Sequence, residues 1–145
     1  AIALQLGANL IATDYAAESL TLTRLTCLLN GEAEPVTVRV NWRDTSDPLL
    51  DGSQTFPVIL AADVLYERRD IEPLLALFDR LLAPGGVVLL AEPGREPARL
   101  FLDHADTQGW QREVYRIDGP WPDPKDEAVV VRIHRLSRVS VPSNP

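Results

Sequence analysis

Apolar residues fall along this chain in two alternating rhythms. Phe56 to Ala62 is the clearest unbroken run, seven residues without a charge, the pattern of a strand buried on both faces. Asn9 to Thr13, Val36 to Val40 and Val87 to Ala91 are shorter runs of the same kind. Between them the period lengthens to that of a helix. Ala16 to Asn30 sets Leu22, Leu25 and Leu29 on one side and stops at Gly31. Asp70 caps a segment in which Ile71, Leu74, Leu75, Phe78, Leu81 and Leu82 recur at helical spacing, and Pro84-Gly85-Gly86 ends it. Ala1 to Leu6 has the pattern of the back half of a helix closing at Gly7, and another helix runs from the loop Glu92-Pro93-Gly94-Arg95 to about Gln108, closing at Gly109.

Strands that alternate with helices join by right-handed crossovers and form a parallel sheet. The alternation stops near the C-terminus. Trp110 to Ile117 and Ala128 to Leu136 are two strand patterns separated only by the proline-rich stretch Asp118 to Glu127, so they pair as an antiparallel hairpin. Residues 44–55 form a loop. The expected fold class is therefore α/β, a mostly parallel sheet ending in a hairpin, with one domain over residues 1–136 and a flexible tail over 137–145.

Bulk properties narrow the function classes. A chain of 145 residues with 46% hydrophobic composition buries a core as one soluble domain. A net charge of -7 argues against a nucleic-acid partner, since phosphate binding draws on a basic face, and leaves a protein substrate open. The single cysteine, Cys27, excludes an internal disulfide and sits in a helical pattern as a small buried hydrophobe. His104 and His134 stand apart from each other and from any metal-ligand spacing, so no metal site is expected. No run is long enough to span a bilayer and no signal segment opens the chain, which makes a cytoplasmic protein without a membrane partner the default; the oligomeric state is not legible.

Polar groups capable of chemistry gather where apolar strands end, the rim at which parallel sheets bind ligands. Asp63 and Tyr66 follow the run Phe56 to Ala62 as Asp-x-x-Tyr; at that strand mouth they are either rim residues facing a ligand, or a helix cap and a core tyrosine. Asp14-Tyr15 ends the strand Asn9 to Thr13. Asp14 either accepts hydrogen bonds from the two hydroxyls of a ribose or caps the next helix, and Tyr15 either lies at a ligand edge or closes the core. In Asn41-Trp42-Arg43-Asp44, Trp42 offers a flat apolar face and Asp44 an acceptor; otherwise they are a sealing tryptophan and a loop carboxylate. Arg95 either steers an acidic partner or pairs with Glu92.

In this order and with these neighbours, Asp14-Tyr15, Asn41-Trp42-Arg43-Asp44 and Asp63-x-x-Tyr66 resemble class I methyltransferases that use S-adenosylmethionine, most closely the small seven-strand branch that includes protein-lysine methyltransferases. Glu92-Pro93-Gly94-Arg95 is similar to the Asp-Pro-Gly-Arg segment of bacterial relatives of flavoprotein lysine methyltransferases. The resemblance covers roughly residues 1 to 136. It implies a Rossmann-like sheet, S-adenosyl-L-methionine as cofactor, and a protein side chain, with lysine leading, as methyl acceptor. It also implies that Asp14, Tyr15, Trp42, Asp44 and Ala62 bind the cofactor, and that Asp63 and Tyr66 serve the acceptor and the transfer step. The match starts after the family's glycine-rich loop, so the chain is expected to be N-terminally truncated, its first strand missing and two central, apolar edges left unpaired. Two other readings stay open. A nicotinamide-dinucleotide oxidoreductase would place Asp14 on a ribose but keep a helix between the last two strands, and a non-catalytic binding module would keep the methyltransferase fold without its cofactor loop.

Overall fold

The computed structural model describes residues 1–44 and 46–138 and divides into two compact units, the first ending at Leu49 and the second beginning at Leu50. In the first unit, helix α1 (Ile2–Gln5) leads to strand β1 (Ile11–Asp14), helix α2 (Ala17–Leu29) and strand β2 (Val36–Arg39). The two strands pair in parallel from Ile11 opposite Val36 to Asp14 opposite Arg39, and α2 packs on both.

The core side of α2 differs from expectation. Leu22, Leu25 and Leu29 are exposed, while Leu20 and Cys27 are the buried residues of the helix. The reason is the spread of leucines around α2: positions 20, 22, 25, 28 and 29 form no single stripe, and two strands offer too little surface to cover them all. Residues 20 and 27 lie two turns apart on one side, so they take the available cover.

The second unit holds a four-stranded sheet in the order β3-β4-β6-β5, built from β3 (Phe56–Ala62), β4 (Leu82–Glu92), β5 (Trp110–Ile117) and β6 (Val131–Arg138), with helices α3 (Ile71–Leu81) and α4 (Glu96–Thr107) between strands. β3 and β4 run parallel, and β5 and β6 form the expected antiparallel hairpin, with a single 3₁₀ turn, Pro124–Asp126, and no α-helix between them. One face of the sheet is the core. It carries Ala61, Val88, Leu90 and Leu136, with α3 packed on β4, α4 on β5, and Phe78 of α3 set edge-on to Phe101 of α4 at 5.8 Å between ring centres.

β3 is not buried on both faces as its composition predicts. Among the described residues it stands at the edge of its sheet with β4 as its one neighbour, and Val58 and Leu60 are 49% and 56% exposed. Alternation along the strand explains this: Ala61 points to the side covered by helices, whereas Val58 and Leu60 pair with Val87 and Leu89 on the opposite side.

Several boundaries also move: β1 takes in Asp14, and β4 takes in the Pro84-Gly85-Gly86 segment expected to end α3. Leu82 begins β4 instead of ending α3, because a residue before proline is pushed out of the helical region and Ala83 precedes Pro84. Asp70 makes no side-chain cap bond; it ends a 3₁₀ turn, Arg68–Asp70, so its backbone is already helical, and it is fully buried. β6 runs on through Ser137 and Arg138, where Arg138 lies over the Trp110 ring at 4.4 Å and pairs with Asp79. The remainder of the expected tail, 139–145, lies outside the described residues.

Candidate active site

In the first unit the end of β1 and the chain leaving β2 are brought together, because the Val40 amide donates to the Asp14 carbonyl at 3.0 Å. Asp14 is half-buried, and its Oδ1 accepts the Ala16 N–H at 2.8 Å, which steers the backbone into α2. One carboxylate oxygen thus closes a turn just before α2, whose N-cap residue is Ala16, and among the described residues Oδ2 has no donor. Tyr15 is 62% exposed, so it does not close a core; its carbonyl accepts from Arg39 Nε at 2.8 Å.

Trp42 is half-buried in the turn that follows, where the Asp44 amide donates to the Asn41 carbonyl at 2.8 Å. Asp44 itself is exposed. Its Oδ1 accepts the Ser46 amide at 3.1 Å and the Ser46 hydroxyl at 2.6 Å, and these bonds hold its carboxyl below the usual carboxylate range.

In the second unit the loops after the parallel strands β3 and β4 meet. Ala62 closes β3 with its side exposed, and the Asp63 amide adds one more rung by donating to the Ala91 carbonyl at 2.9 Å. Asp63 then takes φ 49°, and among the described residues it is the one non-glycine with positive φ. That left-handed turn costs an L-residue roughly 1 kcal/mol, a cost that aspartate carries better than most. It presents the carboxylate to Arg95, whose Nε donates to Oδ1 at 2.6 Å and Nη2 to Oδ2 at 2.8 Å. Both side chains are about half exposed, 49% and 48%. The Arg95 hydrogen bonds hold the Asp63 carboxyl below its ordinary value and raise the guanidinium in turn.

A second clamp lies beside the first with its charges reversed. Arg68, on the β3 side, donates from Nε and Nη2 to Glu96 Oε2 and Oε1 at 3.0 and 2.6 Å. Tyr66 stands between Asp63 and Arg68 in sequence and is 46% exposed, so it is not a core tyrosine; Leu65 fills the core instead. Asp63 is not a helix cap either, since the next helical turn begins at Arg68.

Sequence reasoning missed a buried pair at the end of β4. Glu92 and His134 are both almost fully buried, with Glu92 Oε1 3.2 Å from His134 Nε2, while Glu92 Oε2 accepts the Gly94 N–H. The two residues lie 42 positions apart and meet across the β4-β6 ladder, where Leu90 faces His134. The β4-β6 register carries that information, and no local motif does. Arg95, for its part, takes Asp63 and leaves Glu92 to the histidine.

Among the described residues no helix is long and apolar enough to cross a membrane. A family model described as "Lysine methyltransferase" matches residues 1–107. The ubiquinone biosynthesis O-methyltransferase of Chelativorans sp. (strain BNC1) is 28% identical over 99 residues, 68% of this chain and 37% of that protein. Among solved structures, the ribosomal protein L11 methylase from Lactobacillus delbrueckii subsp. bulgaricus superposes with a TM-score of 0.64 at 21% identity, over 94% of this chain and 61% of its own. An rRNA methylase from Streptococcus thermophilus gives 0.59 at 14% identity, over 88% and 72%. At these identities the superpositions establish a shared fold. The chain spans 37% of the O-methyltransferase and 61% of the L11 methylase.

Proposed function

We propose, from the premise that the chain belongs to the lysine methyltransferase family within the class I S-adenosylmethionine-dependent methyltransferases, that it methylates the side-chain amine of a protein lysine. The observation that carries this reading is the Asp63 carboxylate, set at a strand end by a left-handed backbone turn and left half exposed, three residues before the exposed Tyr66. A residue held in an unfavourable conformation at a sheet rim is a mark of a working site.

S-adenosylmethionine, when bound, supplies a methyl group on a sulfonium. The residues of the first unit fit its nucleoside part: the uncommitted Oδ2 of Asp14 suits ribose hydroxyls, and the half-open face of Trp42 suits adenine. Tyr15 and Asp44 are assigned to the edges of the same ligand. Asp44 already gives Oδ1 to Ser46, so its contribution rests on the other oxygen.

Lysine reaches the site as a cation with a solution pKa of about 10.4 and must lose a proton to solvent water before its nitrogen attacks. An anionic Asp63 attracts and orients that amine, and stabilises positive charge as it builds on nitrogen while the methyl carbon leaves sulfur. Tyr66 lines the approach. A protein acceptor agrees with the net charge of -7, which repels a phosphate backbone.

The test joins calorimetry to a transfer assay. The protein is expected to bind S-adenosylmethionine or its demethylated product and to label lysine peptides. Asp63→Asn should lower kcat roughly a hundredfold, the scale for losing one charge-stabilising group, with cofactor affinity intact. Unchanged turnover would remove Asp63 from the mechanism, and the absence of any cofactor binding would remove the enzyme reading.

A further inference from the structure

Asp63 already holds a cation before any acceptor arrives. Arg95 fills both of its oxygens in the fork-on-fork geometry that guanidinium and carboxylate prefer. A lysine ammonium that is to use Asp63 must therefore take at least one oxygen away from Arg95. The displaced guanidinium then needs a new partner, and the acids around it are spoken for. Among the described residues, Glu96 is clamped by Arg68, Glu67 pairs with Arg69, and Glu92 is buried against His134 and the Gly94 amide. Both clamp side chains are half exposed, so the replacement can come from outside the chain.

We propose that Arg95 is a specificity-determining residue: the acceptor lysine takes Asp63 from it, and an acidic residue next to that lysine receives the freed guanidinium. This rests on the lysine methyltransferase reading and narrows its substrate to lysines with a carboxylate neighbour. The exchange keeps every charge paired. A lysine among neutral residues would leave the freed nitrogens of Arg95 to water and break the bidentate ion pair. The protein's own field cannot produce the same preference, because a chain of net charge -7 favours the peptide without the extra carboxylate.

Two peptides separate these effects, acetyl-Gly-Glu-Lys-Gly-amide and acetyl-Gly-Gln-Lys-Gly-amide, titrated against the full chain while the amide and Arg95 Nε–H signals are followed by NMR. The parent is expected to bind the Glu peptide about two- to fivefold more tightly, the range of an exposed ion pair, with the Arg95 Nε–H signal shifting. Arg95→Gln should erase the preference and bind the Gln peptide more tightly than the parent does. Arg95→Lys, which keeps the charge but loses the fork, should retain part of the preference. Thermal melts of each variant establish that the fold is kept.

An equal preference in the parent and in Arg95→Gln, no preference in the parent, or no peptide binding would each overturn the proposal. Binding is read without methyl transfer, so the two readings fail separately. The expected preference without methylation would remove the enzyme reading alone, and methylation without the preference would remove this one.

Discussion

A carboxylate at a strand end serves backbone and ligand together only when its two oxygens are divided, and Asp14 divides them. Oδ1 fixes the entry to α2 through the Ala16 amide, and the proposed function gives Oδ2 to a ribose. Asp14→Asn keeps an oxygen for that amide but turns an NH₂ outward, where two hydroxyl donors need an acceptor. Its thermal stability should stay close to the parent's while affinity for S-adenosylmethionine falls by about 1.5 to 3 kcal/mol, read by calorimetry. A lower melting temperature with unchanged affinity would make Asp14 a cap alone. Single residues were legible from sequence as far as their place on the rim: Asp63 and Tyr66 stand exposed at the end of β3 as the pattern of an apolar run ending in polar groups suggests. Their partners were not. Along the chain Arg95 has Glu92 within reach, but it takes Asp63, 32 residues away, because Glu92 turns into the core toward a histidine 42 residues away.

Elements were legible where period and breakers agree. Phe56 to Ala62 forms β3 with the bounds its apolar run suggests, and Gly7, Gly31 and Gly109 follow the helices they were expected to close. Misread positions share a physical cause: a tertiary or neighbouring constraint outweighs the local pattern. Leu82 fits the stripe of α3 but stands two residues before Pro84, and Asp70 looks like a cap but follows a 3₁₀ turn and is buried. The Glu92–His134 contact ties β4 to β6 in the same non-local way. Removing the carboxylate strands a buried imidazole and frees the Gly94 amide, so Glu92→Ala should cost about 3 kcal/mol in urea unfolding. Glu92→Gln, which can still bond to both, should lose clearly less. Equal losses would show that the charge, and not the hydrogen bonding, holds the strands together.

At the scale of the whole molecule, the exposed side of β3 is its least settled surface. Composition alone makes β3 a central strand, since an edge strand is normally short, charged or interrupted. Here seven residues carry no charge, the strand has a neighbour on one side, and Val58 and Leu60 stand half open with the paired Val87 and Leu89 beside them. Such an edge offers unpaired amides and carbonyls together with an apolar flank, the combination that recruits another strand. Leu60→Lys places a charge on that flank without touching the buried side of the sheet. If the flank is open in solution, the substitution should change unfolding free energy by no more than about 0.5 kcal/mol, as surface changes do, and lower self-association in sedimentation velocity. A fall of several degrees in Tm at low protein concentration would give the opposite result. Leu60 would then be a core residue of the working protein, covered by another segment or partner, and the apolar composition of β3 would be explained by burial on both faces after all.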